Sequence, residues 1–102
     1  MEHRWYRRMP VTFDVLLYRQ GVPVALAQTR NLSKQGMLLE AKAVALAQNS
    51  VLEVEFTTGR GDDARNHRVS VVVVHGEDDR FGVAFISLRA EVRQAIRLLL
   101  SV

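Results

Sequence analysis

At 102 residues, with 48% hydrophobic and 25% charged side chains, the chain has the composition of one small domain with a single core. It contains no cysteine, which excludes disulfides and thiolate metal sites and fits a cytoplasmic location. The net charge is +3, no apolar run is long enough to insert in a bilayer, and Arg4, Arg7 and Arg8 lead into no signal-peptide core.

Residues 1–9 are basic, include Trp5 and Tyr6, and show no period, which predicts a flexible arm. Residues 11–18 alternate loosely as a first strand, closed by a turn at Gln20 and Gly21. Residues 22–29 return as a second strand that runs into the segment 31–36. Residues 37–40 make a short third strand. The alanine-rich stretch 41–48 predicts a turn or a brief helical piece crossing between strands. Residues 51–56 alternate clearly as a fourth strand, and 59–63 form a loop. The valine run within residues 68–75 predicts a fifth strand buried on both faces. Residues 76–79 turn it into a sixth, 80–86.

The period then changes. Leu88, Val92, Ala95, Ile96 and Leu99 share one face of an amphipathic helix over residues 88–101, with Ser87 as its N-cap. The whole reads as a single all-β domain with one helix: a six-stranded antiparallel barrel over residues 10–86 and a C-terminal α-helix that plugs or flanks it.

Charge is unevenly placed. Residues 1–35 carry a balance of +4 and residues 36–102 a balance of −1, so the positive excess surrounds two short motifs. The first is R-x-x-x-R at Arg4 and Arg8. The second, with twenty-two residues between, is N-x-S-x-x-G at Asn31, Ser33 and Gly36. Arginine forks suit phosphate oxygens and guanine O6 and N7. A turn carrying an amide, a hydroxyl and a glycine supplies short polar arms and a place where backbone comes close. The pair suits a compact guanine nucleotide better than a metal, a lipid or a peptide.

In that order and spacing the motifs resemble those of the PilZ domain, a bacterial receptor module for cyclic di-GMP, and the resemblance continues through Phe81-Gly82-Val83-Ala84-Phe85 to the terminal helix. It implies that Arg4 and Arg8 grip guanine edges and phosphates, on an arm that is mobile until ligand orders it. It implies that Asn31 and Ser33 hold a turn and also bond the ligand, where many members have Asp in place of Asn31. On that reading the loss of Ser33 weakens binding and spares stability, whereas Gly36 serves the backbone. Additional contacts are expected from Arg7, Trp5, His3 and His75. Trp5 and Tyr6 are read equally as anchors docking the arm or as stacking partners of the bases, and His75 as a rim residue or as a solvent-facing strand end. The resemblance further implies an effector protein as partner, no cofactor beyond the ligand, and control of motility, pili, surface polysaccharide or virulence.

Other constellations carry less. Glu77, Asp78 and Asp79 lack calcium-loop spacing, and His3, His67 and His75 are scattered. Arg89, Arg93 and Arg97 line a helix flank that is solvated or partner-facing. No nucleophile, base and acid fall together, so an enzyme is not expected. Two rival readings remain open: a small basic barrel that uses the same arm and aromatics on single-stranded nucleic acid, and a degenerate adaptor that binds protein only, which the intact motifs disfavour.

Overall fold

Gln20 and Gly21 both take positive φ, 51° and 80°, the pairing demanded by a two-residue hairpin turn whose twist matches its strands. That turn joins β1 (Phe13–Arg19) to β2 (Val22–Leu32) in the computed structural model, which describes residues 12–42 and 44–100. With β3 (Gly36–Glu40), β4 (Val51–Thr58), β5 (Arg65–Glu77) and β6 (Arg80–Ser87), they close an antiparallel barrel in the order β1-β2-β3-β6-β5-β4. One helix follows, α1 (Ala90–Leu100). The all-β barrel with a single C-terminal helix is therefore as the sequence predicts.

Alternate residues of each strand fill the barrel. Val15 and Leu17, then Leu52, Val54 and Phe56, then Phe81 and Val83 all point inward and are buried. The valine run departs from expectation. Val69, Val71 and Val73 are buried, but Val72 is only half-buried and Val74 is 44% exposed. The strand has one core face and one outer face because the closed antiparallel barrel leaves its outside uncovered.

α1 buries Val92, Ala95 and Ile96, and Val92 and Ile96 join the barrel core. It starts two residues later than its periodicity predicts. Ser87 ends β6, and the Arg93 amide bonds the Arg89 carbonyl at 2.9 Å, so Arg89 holds the N-cap position assigned to Ser87. The 41–50 segment contains no helix among its described residues. Its Ala41 amide bonds Asp79 and its Asn49 amide bonds Val73, while Leu46 is buried against the core. The predicted arm, residues 1–9, lies outside the described residues.

Candidate functional site

Between β2 and β3 the chain reverses through a turn built on one hydroxyl. Ser33 Oγ accepts from the Gln35 amide at 3.1 Å and the Gly36 amide at 3.2 Å, and donates to the Gly36 carbonyl at 3.4 Å. The Ser33 amide also bonds that carbonyl, at 2.9 Å. One donor and two acceptor sites are all a hydroxyl has, and the residue is 3% exposed. Ser33 thus spends its polar capacity holding the turn. Ser33→Ala should accordingly lower stability by about 1–3 kcal/mol, the cost of stranding partly buried donors. A melting curve superimposable on wild type would count against this assignment.

Gly36 pairs with Ala84 of β6. A Cβ there would fall on the Val83 carbonyl oxygen and lie 3.0 Å from the Ala84 Cα. Close approach of two backbones, not a left-handed φ, requires this glycine.

Asn31 and His75 reach the same face by the same device. On β2, Ala27 and Thr29 are buried, and strict alternation would send Asn31 inward after them. A bulge at Arg30 intervenes: Thr29 pairs with Leu39, yet Asn31 pairs with Leu38. On β5, Val71 and Val73 are buried and His75 would follow them, but Val74 is bulged, so that Val73 pairs with Val83 and His75 with Gly82. Each bulge moves its following residue to the opposite face, a use to which bulges near binding sites are put. Leu38 and Gly82 are themselves paired. Asn31, Leu38, Gly82 and His75 therefore form one lateral row across the outside of β2, β3, β6 and β5, about 14 Å from end to end at the usual strand spacing.

The row has chemically distinct ends. Among the described residues Asn31 Oδ1 is enclosed and meets no hydrogen-bond partner, an arrangement that costs stability until a donor arrives. A carboxylate enclosed in its place would cost more, which fits the amide at this position. The His75 ring lies over Gly82, close enough that a Cβ on Gly82 would sit 2.8 Å from Cε1 and Nε2. Only glycine leaves room for it. Beside Asn31, the bulged Arg30 is paired with Glu40 at 3.0 Å. Beside His75, an open cleft of about 500 Å³ is lined by Leu38, Glu40, Glu77, Asp78, Asp79 and Arg80.

Arg4, Arg8, Arg7, Trp5 and His3 lie outside the described residues. The described chain begins at Thr12, one residue before the Phe13–Thr29 pair, and so at the level where β2 bulges toward Asn31. Leu38 carries no motif signal, and Gly82 enters the sequence pattern only within the strand 81–85 and not as a site residue. Their place in the row follows from register alone.

Among the described residues no group of three or more His, Asp and Glu side chains is placed to hold a metal. His67 is buried, bonded to Thr58 Oγ1 at 2.8 Å and packed on Phe56. On the outside of β1, β4 and β5, Glu55 accepts from Tyr18 at 2.9 Å and from Asn66 at 2.8 Å, which holds its carboxyl below the usual range. The same bond raises the Tyr18 phenol, over whose ring Arg68 stacks at 3.8 Å. These partners satisfy one another and brace the barrel wall.

The PilZ domain model matches residues 2–101 of the chain. No curated protein sequence matches it. Among solved structures it is similar to the PilZ domain of CeSA from a cellulose-synthesizing bacterium, at TM-score 0.73 and 14% identity, covering 93% of this chain and 96% of that one. It is also similar to the Bacillus subtilis inhibitor of motility MotI/DgrA, at TM-score 0.80 and 15% identity, covering 99% of this chain but 51% of that one. This chain thus corresponds to about half of the motility inhibitor.

Proposed function

The chain belongs to the PilZ domain family, and on that premise we propose that it is a receptor for cyclic di-GMP whose N-terminal arginines close over the Asn31–His75 row. The observation that carries the reading is the row itself. Two separate bulges turn Asn31 and His75 out of the core and onto one face, beside the point where the described chain begins. A dinucleotide has guanine N–H donors for the unpartnered Asn31 Oδ1 and a base plane for the His75 ring. Its phosphates need cations, and Arg4 and Arg8, the two ends of the R-x-x-x-R motif, bear planar forks. Ser33 and Gly36 act by holding the turn that presents Asn31. No described helix is long and apolar enough to cross a membrane, and the receptor works as a binding and relay module in which the arm's change of position alters the surface an effector protein meets.

Calorimetry with cyclic di-GMP, linear GpGp, GTP, cyclic di-AMP and a single-stranded oligonucleotide tests this directly. Binding should favour cyclic di-GMP, and exchanging guanine for adenine should cost at least about tenfold, because a site built to hydrogen-bond one edge leaves polar groups unpaired with the other. Preference for the oligonucleotide, with a steep salt slope, would replace the nucleotide receptor by a nucleic-acid barrel.

A further inference from the structure

The outside of the barrel carries an apolar island that no other described element covers. Val51 pairs with Val72 and Val72 with Ala84, which places the three side by side on β4, β5 and β6. The bulged Val74 and Ile86 adjoin them. Val51 is 57% exposed, Ile86 51% and Val74 44%, an extent of bare aliphatic surface that marks an interaction face.

The charges at its two ends identify the occupant. Counting paired rows from Val72–Ala84, Glu77–Arg80 is the fourth in one direction, and the turn beyond it adds Asp78 and Asp79. In the other direction Ser70–Ser87 is the second row, and Arg89 stands two residues further on. Arg89 shares a cleft with Ser70 and Ser87, which keeps it beside the same face. Arg93 and Arg97 continue that stripe along α1, each one turn further. At about 3.3 Å per residue, both charged ends begin about 13 Å from Val72. Their charges match as well: Glu77, Asp78 and Asp79 outnumber Arg80 by two, and Arg89, Arg93 and Arg97 outnumber Glu91 by two. Arg68 and Glu53, which also line the cleft, pair with each other at 3.8 Å.

An apolar centre with opposite charges at equal distances on either side is self-complementary under a two-fold rotation. We propose that the β4–β5–β6 face pairs with the same face of a second copy, island on island, the acidic turn of each chain meeting the arginine stripe of the other. A partner of another kind would have no need for the two ends to match in distance and charge. The face measures about 26 Å by 14 Å, which places its total burial below the roughly 1,200 Å² of a stable complex. The dimer is therefore transient and concentration-dependent, and it does not depend on the nucleotide.

Sedimentation equilibrium of the nucleotide-free full chain, from roughly 5 µM to 1 mM, should show the mean mass rising from one chain toward two. Ile86→Lys should hold it at one chain by forcing a charge into an apolar contact. Glu77→Lys with Asp79→Lys should do the same, as should Arg89→Glu with Arg93→Glu; Asp78 is left in place because its φ of 57° suits Asp. The decisive arm mixes the two charge-reversed proteins. Each carries like charges at both ends and repels its own copy, but together they restore opposite charges at both contacts and should form a one-to-one dimer. Melting curves establish that all three variants fold. Wild type that stays monomeric throughout would overturn the dimer and leave the island to a different protein. A wild-type dimer that the reversals do not weaken, or folded reversed proteins that stay monomeric when mixed, would overturn this face as the contact.

Discussion

Gly36→Val should melt roughly 12–24 °C below wild type, following from about 3 kcal/mol of overpacking at the sensitivity of a domain this size. The reason is the identity of the obstacle. A side chain at Gly36 meets the Val83 carbonyl and the Ala84 Cα, both backbone atoms of a strand locked into pairing with β3 and β5. Neither can swing aside, so β3 and β6 must separate and the residue 33–36 turn must move with them. Nucleotide affinity should fall in the same variant because Asn31 stands on β2 just before that turn and pairs with Leu38 of β3. Gly82→Ala makes the contrast. The atoms a Cβ meets there belong to the His75 ring, the end of an exposed side chain, which can rotate away at little cost. Gly82→Ala should therefore keep most of its stability and lose affinity through the displaced ring. Equal melting temperatures for Gly36→Val and wild type would mean that β3 and β6 do not approach as described.

Arg4→Ala and Arg8→Ala should each weaken cyclic di-GMP binding about 10–100-fold, the equivalent of losing charge-assisted hydrogen bonds worth roughly 1.5–3 kcal/mol. Melting temperature should stay put, since every core residue identified lies between Val15 and Ile96. Arg→Lys at either position separates charge from shape: it keeps the cation but not the planar fork, and should recover only part of the loss. Raising salt should weaken wild type more than either alanine variant. Wild-type affinity in both alanine variants would remove these arginines from the site.

Much was legible along the chain. Strict alternation in residues 51–56, the Gln20-Gly21 turn and the helical period from Val92 to Leu99 depend on near neighbours, and each appears in the structure where its pattern lies. The two motifs were legible as well, because they are runs of residue types at fixed spacing. Ser33 shows the limit of that reading. Its hydroxyl was expected both to hold the turn and to meet ligand, and the bonds the structure gives it are those of the turn.

What only the tertiary structure decided is which way side chains face. Alternation by twos sends Asn31 inward after Ala27 and Thr29, and His75 inward after Val71 and Val73. Both conclusions are reversed by a single extra residue, Arg30 or Val74. A bulge is a mismatch between two strands, so it exists only against a partner, and neither β2 nor β5 states it alone. The same holds for Gly36 and Gly82, whose missing side chains matter because of what stands opposite: a carbonyl of β6 in one case, an imidazole of β5 in the other. The sequence by itself determined the strands, the helix and the chemistry available at the motifs. Pairing across the barrel determined the row on which that chemistry is displayed.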